Sequence, residues 1–227
     1  SLNRIVSDEL KAITVEDPVE YQVPRVNQIP VNNSIGFGFA QGLRAILRHD
    51  PDIIMIGEIR DRETADAAVQ AALTGHLVFS TLHTNDASSA PTRLLDMGVE
   101  PYLVSSAVEG VLAQRLLRRV CPACARPTRV SPQEAPKNLV IPESQHVLEA
   151  DGCRECRRTG YHGRVGIYEL LQFNDMTREL VMEQAPAGRI VTEAVASNTI
   201  NLLQTEALTL VTDHVTTIQE ALRVCRG

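Results

Sequence analysis

Short apolar runs that alternate with amphipathic helical segments are the feature that most restricts the fold of this sequence. The runs AITVE from Ala12, IIMI from Ile53 and LVFSTL from Leu77 are rich in β-branched and aromatic residues and are short for helices. Between the second and third runs, apolar residues recur on one helical face over 65–73, and Gly75 suits the left-handed position after a helix. Strands that alternate with helices predict an α/β fold, a parallel sheet flanked by helices.

Polar side chains follow each of the three runs. Glu16 and Asp17 end the first, Glu58 follows the second, and His83 and Thr84 follow the third. We expect them to lie close together, because ligands bind where the carboxyl ends of parallel strands meet. Two carboxylates and an imidazole at one edge suit phosphoryl chemistry, in which carboxylates hold Mg²⁺ or polarise the attacking water. Each residue alone is as readily a turn former or helix cap, so only the joint occurrence favours a site.

The cysteines form a second pattern. Cys121 with Cys124 and Cys153 with Cys156 are two C-x-x-C pairs, separated by 28 residues. Each pair puts two thiolates on one tight turn, and two pairs complete a tetrahedral zinc site. The alternatives are two disulfides, which are rare in a reducing compartment, or a redox pair, which needs one C-x-x-C only. Four protein ligands leave the metal no open position, so the sequence predicts a structural Zn²⁺ site.

Several arginines flank these cysteines. They either offset the negative charge of four thiolates on Zn²⁺ or form a solvated basic face. They are Arg118, Arg119, Arg154, Arg157 and Arg158.

Composition excludes other classes of function. The net charge of -6 and the pI of about 5.5 provide no basic field for nucleic acid. No apolar stretch approaches the roughly 18 to 20 residues of a membrane helix, and the N-terminus lacks the apolar core of a signal peptide. We therefore expect a cytoplasmic protein that binds no nucleic acid and does not insert into a membrane, although it could dock on a membrane complex.

Longer motifs resemble those of the secretion ATPase superfamily. ITVEDPVEY resembles its Asp box, DIIMIGEIRD its atypical Walker B motif, and LTGHLVFSTLHTNDA its His box. GVLAQRLLRRVCPAC and GCRECRRTGYHGRVGIYELL resemble the tetracysteine module of the type II secretion and type IV pilus assembly ATPases, the GspE/PilB group. The match runs in order over nearly the whole sequence. Retraction ATPases of the superfamily generally lack the four-cysteine insert, so the resemblance favours a secretion or assembly motor.

The resemblance implies a RecA-like P-loop NTPase that hydrolyses ATP at the interfaces of a homo-hexamer. The cycle would drive pilus or pseudopilus polymerisation, with platform and assembly proteins of the inner membrane as partners. Within this family, Glu16 is expected to polarise the attacking water, and Glu58 to coordinate Mg²⁺ or share the role of base. His83, and with it His76, is expected to contact the γ-phosphate. The residues expected to bind the nucleotide or Mg²⁺ are Asp17, Glu58, His76 and Thr84.

Two arginines are candidate arginine fingers by the same resemblance. Arg44 and Arg60 would offer positive charge to the developing phosphate oxygens, in the manner of a residue donated across a subunit boundary. The alternatives are a solvated helix position for Arg44 and a surface ion pair with Asp61 for Arg60. His76 could likewise be a packed loop residue.

The sequence departs from the family in its phosphate loop. It contains no G-x-x-x-x-G-K-[ST], the motif whose backbone and lysine bind the β- and γ-phosphates. SLNRI resembles the helix that follows this loop, so we expect the C-terminal part of an ATPase, inactive or nearly so by itself. The second hypothesis is a zinc-stapled interaction module without catalytic activity. The segment IPVNNSIGFGF from Ile29 is interpreted as a mobile loop near the site.

The predicted domains are three consecutive segments. Residues 1–117 form a truncated RecA-like core, residues 118–168 the tetracysteine module, and residues 169–227 a C-terminal helical region that serves packing and subunit contact. After the cysteine pairs, only helices are expected. TTIQE, residues 216–220, is typical of a capping box, so His214 is predicted to be a helix-end residue.

Overall fold

The computed structural model describes residues 2–129 and 146–225 and divides the chain into two compact units. The first unit comprises Ser1–Thr84, Ser88–Gly110 and Gln172–Thr192. The second comprises Asn85–Ala87, Val111–Leu171 and Glu193–Gly227. The units alternate along the chain, and the predicted division into three consecutive domains stays a prediction.

A parallel sheet of four strands forms the centre of the first unit. Its strands are β1 (Ala12–Glu16), β2 (Val26–Pro30), β3 (Ile53–Ile56) and β4 (Leu77–Ser80), in the order β2-β1-β3-β4. The predicted parallel sheet is thus confirmed. Strand β2 was not predicted, because its sequence VNQIP contains two amides and a proline. An edge strand tolerates those residues, since one side of its backbone needs no partner strand.

Helices flank this sheet. They are α1 (Leu2–Ile5), α2 (Phe39–Ile46), α3 (Arg62–Leu73), α4 (Ser89–Asp96), α5 (Pro101–Ala107) and α6 (Asp175–Met182), and α7 (Ala187–Ala196) runs from the first unit into the second. Helix α2 lies directly on β1, where a Cβ on Gly42 would come within 2.9 Å of the Val15 methyl groups. Asp61 caps the N-terminus of helix α3, since its carboxylate accepts a hydrogen bond of 2.8 Å from Thr64 N. Gly75 follows α3 with a φ of 100°, as the sequence predicted.

The first unit also includes a segment from much later in the sequence, Gln172–Thr192. Arg178 of α6 donates to the Ser105 carbonyl and forms an ion pair of 3.2 Å with Glu109. Phe173 N donates to the Glu109 carbonyl at 3.1 Å. The segment 172–192 is therefore a part of this unit rather than a C-terminal appendage.

Within the described residues, the second unit contains two small sheets, two further helices and the C-terminal end of α7. β5 (Gly110–Val120) pairs with β8 (Tyr161–Gln172), and β6 (Ala125–Thr128) pairs antiparallel with β7 (Val147–Ala150). Helices α8 (Leu203–Thr212) and α9 (Ile218–Cys225) cover the core. Its buried members include Leu117, Ile167, Val211 and Val224. The expectation of helices alone after the cysteine pairs is wrong, because β8 follows Cys156; its partner β5 lies too far away in sequence to show in a local pattern.

A buried carboxylate fixes α9. Thr217 Oγ1 accepts a hydrogen bond of 3.1 Å from Glu220 N, which is one half of the predicted capping box. The Glu220 side chain instead binds two guanidinium groups, with Arg118 Nη2 at 2.7 Å and Arg223 Nη2 at 2.7 Å. Arg118 also stacks over the Tyr161 ring, 4.0 Å from its centroid.

His214 lies in the turn between α8 and α9. His214 follows α8 in the left-handed region, with a φ of 59°, which confirms its predicted place at a helix end.

Among the helices of residues 2–129 and 146–225, none combines the length and the apolar character that crossing a bilayer requires.

Candidate active site and metal centre

Glu58 and His83 meet at the carboxyl end of the parallel sheet. His83 Nε2 lies 2.6 Å from Glu58 Oε2, and Arg60 forms an ion pair with the other carboxylate oxygen. The Glu58 side chain is 13% exposed, whereas that of His83 is 78% exposed. The hydrogen bond from Arg60 holds the pKa of Glu58 below its ordinary value, against the effect of burial and with help from His83. Glu58 is therefore an ionised, nearly enclosed carboxylate with a cationic partner beside it.

Backbone hydrogen bonds between the segments after β3 and β4 create this arrangement. Ile59 N donates to the Thr81 carbonyl at 3.0 Å, and Thr81 Oγ1 donates to the Gly57 carbonyl at 2.7 Å. The two strand ends are thereby fixed together, which places Glu58 next to His83. Sequence reasoning missed Thr81, because a hydroxyl near the end of a strand is too common to mark a site.

Glu16 is oriented by its own and the neighbouring strand. Its carboxylate accepts hydrogen bonds from Thr14 Oγ1 at 2.6 Å and from Gln28 Nε2 at 2.8 Å. Gln28 also donates to the Tyr21 carbonyl at 2.9 Å and accepts from Val23 N at 2.7 Å, so it ties the segment after β1 to β2. Gln28 was not singled out in the sequence, since β2 itself gave no strand pattern. Glu16 is thus held at the sheet edge by an amide and a hydroxyl.

Asp17 lines a cleft beside this edge. The cleft measures about 210 Å³ and is also lined by Arg60, Thr64, Asn33 and Gly38. The Arg60 pKa is raised, first by Glu58 and then by the negative charge of Asp17. A cleft of this size is smaller than the roughly 300 to 1,000 Å³ of ordinary ligand pockets, so it can enclose only part of a nucleotide.

The segment from Ile29, predicted to be a mobile loop, supplies part of that cleft. Residues Asn33–Ile35 form a 3-10 turn, and Asn32 pairs with Phe37 in an isolated bridge across it. Its position by the cleft agrees with the sequence, whereas its mobility stays a prediction.

Arg44 and His76 do not join the Glu58 cluster. Arg44 Nη1 forms an ion pair of 2.6 Å with Glu63, on a groove between α2 and α3. His76 precedes β4 and His83 follows it. They therefore lie at opposite ends of a strand, whose backbone rises about 3.3 Å per residue. His76 Nδ1 lies 2.9 Å from the Ala71 carbonyl, at the end of α3. Thr84 remains beside His83 in sequence, and its amide donates to the Leu82 carbonyl at 3.0 Å.

The four paired cysteines converge on one point in the second unit. The Sγ atoms of Cys121 and Cys153 are 3.9 Å apart, those of Cys124 and Cys156 3.8 Å, and those of Cys153 and Cys156 3.7 Å. All four sulfur atoms lie within 4.8 Å of one another. A tetrahedral Zn²⁺ with Zn–S bonds of about 2.3 Å requires sulfur–sulfur distances of about 3.8 Å. The cluster therefore fits a zinc ion held by four thiolates.

Backbone N–H groups donate hydrogen bonds to one sulfur atom of this cluster. Cys156 Sγ accepts hydrogen bonds from Cys153 N at 3.1 Å and from Gly160 N at 3.2 Å, and these donors lower the pKa of Cys156 to about 6 against the effect of burial. Burial raises the pKa of Cys124 to about 12. Gly160 is required here, because it has a φ of 78° and an added Cβ would lie 2.8 Å from the Ala150 carbonyl oxygen.

The arginines that flank the cysteines in sequence contact protein groups other than the cysteine sulfur atoms. Arg118 binds Glu220, as described above. Arg157 and Arg158 have φ values of 53° and 62°, and Arg158 N donates to the Cys153 carbonyl at 2.7 Å, which closes the second turn of the cluster. A role for these arginines in balancing the charge of the thiolates stays a prediction.

Comparisons with known proteins agree with this architecture. The family model for "Type II/IV secretion system protein" matches residues 1–223. The chain is 50% identical over 215 residues to type II secretion system protein E of Pseudomonas aeruginosa, covering 94% of this chain and 42% of that protein. It is 45% identical over 228 residues to type II secretion system ATPase E of Vibrio cholerae, covering 99% and 44%. It is 46% identical over 213 residues to the type IV pilus assembly ATPase PilB of Myxococcus xanthus, covering 92% and 38%.

Solved structures share the fold. The pilus retraction motor PilT with bound ADP matches with a TM-score of 0.68 and 28% identity, covering 98% of this chain and 54% of that one. The Legionella pneumophila ATPase DotB matches with a TM-score of 0.66 at 22% identity, covering 98% and 53%, which supports the fold alone. The predicted fold class is confirmed. The chain spans less than half the length of the relatives named above.

Proposed function

Because this chain belongs to the type II/IV secretion system protein family, we propose that it is part of an ATPase that powers type II protein secretion or type IV pilus assembly. The observation that carries this proposal is the ionised Glu58 held between His83 and Arg60 at the carboxyl edge of the sheet. Such an edge is where α/β folds bind their ligands. The relatives are secretion and pilus assembly ATPases by name, which agrees with phosphoryl chemistry at this edge.

The oxygen ligands at the sheet edge suit Mg²⁺, which prefers carboxylates and water. Glu58 would hold the ion directly or through water, with Asp17 beside it. When bound with ATP, Mg²⁺ neutralises charge that develops on the phosphate oxygens. Glu16 would then accept a proton from the attacking water, and its bonds to Thr14 and Gln28 keep it oriented. His83 lies against Glu58 and would donate a hydrogen bond towards the γ-phosphate.

The remaining functional assignments concern assembly. We infer a homo-hexamer in which Arg60 or Arg44 serves a neighbouring subunit's nucleotide, and both side chains are more than half exposed. We place the protein in the cytoplasm, peripheral to the inner membrane through platform and assembly partners. The cysteine cluster would hold one structural Zn²⁺ that fixes the fold of the second unit.

ATP turnover is proposed for the full-length protein that carries a phosphate loop. The chain has two lysines, Lys11 and Lys137, and neither follows a glycine as the loop lysine does. Without that lysine and its backbone cradle, the β- and γ-phosphates lack their main ligands. The 227-residue chain alone is therefore expected to hydrolyse no ATP above background.

The test compares Glu58→Gln with wild type in the full-length protein. The amide keeps the shape of the carboxylate but has no charge for Mg²⁺ or proton transfer, so kcat should fall about 100-fold or more. Glu100→Gln, at an exposed site before α5, is the matched control and should keep wild-type turnover. Wild-type activity in Glu58→Gln, or robust turnover by the bare chain, would contradict the proposal and favour an interaction module.

A further inference from the structure

Arg60 contacts the carboxylate that is proposed to hold Mg²⁺. Its Nη2 forms an ion pair with Glu58 Oε1, while His83 Nε2 lies 2.6 Å from the other oxygen, Oε2. The Glu58 side chain is 13% exposed, so its carboxylate offers little accessible surface besides the oxygens that these two side chains contact. A metal ion that binds Glu58 must therefore share an oxygen with one of the two side chains or displace it.

A second carboxylate acts on the same guanidinium. Asp17 and Arg60 line one cleft, and the pKa of Arg60 is raised first by its hydrogen bond to Glu58 and further by the negative charge of Asp17. Asp61, the acidic neighbour of Arg60 in sequence, is engaged elsewhere, because its carboxylate accepts hydrogen bonds from Thr64 N at 2.8 Å and Thr64 Oγ1 at 3.1 Å. The guanidinium thus lies at Glu58 with Asp17 near it, which is also the proposed environment of Mg²⁺.

A guanidinium and Mg²⁺ favour this position for the same reason and oppose each other there. Both are cations that gain from a nearly enclosed carboxylate, since that carboxylate has lost most of its water. At the few ångströms between two cations on one carboxylate, their like charges repel more strongly than they would in bulk water. Mg²⁺ also requires octahedral geometry with several bound waters, which a guanidinium on the same oxygen obstructs. Arg60 and Mg²⁺ are therefore competitors for Glu58.

We propose that Arg60 is a tethered competitor of Mg²⁺ at Glu58, which keeps this carboxylate paired until Mg²⁺ displaces it. The Arg60 side chain is 61% exposed, so water can hydrate the guanidinium when it leaves. An ion pair with one exposed partner is weak enough to be exchanged for a divalent ion that binds together with ATP. The released guanidinium would then be able to contact phosphate oxygens, so its use as an arginine finger would depend on metal binding. The inference rests on the proposed function in taking Glu58 as the ligand of Mg²⁺.

The test titrates the 227-residue chain with Mn²⁺, a paramagnetic probe for Mg²⁺ sites, and compares Arg60→Gln with wild type. Mn²⁺ held by Glu58 broadens the amide signals of residues 57–59, so the concentration that halves these signals measures the affinity of this site. Loss of the competing ion pair should lower that concentration about fivefold to tenfold. In wild type, Mg²⁺ should also shift the Nε resonance of Arg60 towards that of a solvated guanidinium, and Arg60→Gln identifies this resonance.

Two variants control the measurement. Arg62→Gln removes a similarly exposed guanidinium, which pairs with Asp66 at 3.4 Å, and it should titrate as wild type does. This variant separates direct competition from the general effect of removing one positive charge. Glu58→Gln should lose the broadening of residues 57–59 over the same range of concentration, because the amide has no charge to hold the ion.

The inference is overturned if wild type and Arg60→Gln require the same Mn²⁺ concentration, or if neither shows broadening around Glu58. It is also overturned if Arg62→Gln gains as much affinity as Arg60→Gln. ATP turnover is measured separately in the full-length protein. If full-length wild type shows no turnover, the proposed function fails, while the Mn²⁺ titration still decides on Arg60. If it hydrolyses ATP but Arg60→Gln binds Mn²⁺ no better than wild type, the inference alone fails.

Discussion

Replacing Glu220 by glutamine should cost the second unit a large part of its stability. Glu220 is 1% exposed and is bound by Arg118 and Arg223. Burial raises the pKa of this carboxyl, but the hydrogen bonds from Arg223 and Arg118 outweigh it and bring the pKa from 4.5 to about 2. At about 1.4 kcal/mol per pH unit, this displacement corresponds to about 3 kcal/mol of folding free energy at neutral pH.

The dependence on pH has a definite sign. The folded carboxyl has the lower pKa, so the folded state binds fewer protons than the unfolded chain. The stabilisation is complete above the unfolded pKa of 4.5 and is lost as the pH falls from there towards about 2. Above pH 5 the difference in unfolding free energy between wild type and Glu220→Gln should therefore be constant, and below pH 4.5 it should shrink.

Urea unfolding of both proteins, followed by circular dichroism, measures that difference. Any metal that the cysteine cluster holds would be lost in acid from wild type and variant alike, so only the difference between them is interpreted. Glu149→Gln, an exposed carboxylate on β7, is the control and should change stability by less than about 0.5 kcal/mol. A difference below about 1 kcal/mol at pH 7, or a carboxyl ¹³C titration of Glu220 with its midpoint near 4.5, would refute the reasoning.

Two further predictions concern the metal and the histidines. Metal analysis should find about one zinc per chain, and Cys121→Ser should lose the metal and destabilise the second unit; a folded, metal-free wild type would refute this. In the full-length protein, His83→Gln should reduce ATP turnover, whereas His76→Gln should stay within about twofold of wild type, since His76 lies at the opposite end of β4. Equal losses would show that the strand geometry does not separate their roles.

The sequence revealed the parts of the site that local patterns encode. Strands β3 and β4 are short apolar runs, and in a parallel sheet their ends must share an edge, so Glu58 and His83 could be placed together before the structure was known. The cysteine pairs are likewise local, and their convergence follows from the chemistry of four thiolates.

Long-range contacts explain what the sequence did not reveal. Strand β8 depends on a distant partner, β5, and although its burial alternates over residues 167–172, the buried position Glu169 interrupts the alternation of apolar and polar residues in its sequence. Gln28 matters only because β2 lies next to β1, where its amide reaches Glu16. Glu169 looks like an ordinary surface residue of a strand until its two backbone partners are known. Such residues acquire their roles from tertiary structure, which a pattern in one segment cannot show.

The interleaving of the two units along the chain bears on recombination between relatives. A crossover at residue 110 would separate Glu109 from Phe173 and Arg178, which come from the segment Gln172–Thr192 of the same unit. A chimera that exchanges one uninterrupted stretch would therefore combine mismatched halves of both units. Recombination preserves the second unit only if all of its segments are transferred together, namely Asn85–Ala87, Val111–Leu171 and Glu193–Gly227. The two units are therefore expected to evolve together rather than as exchangeable modules.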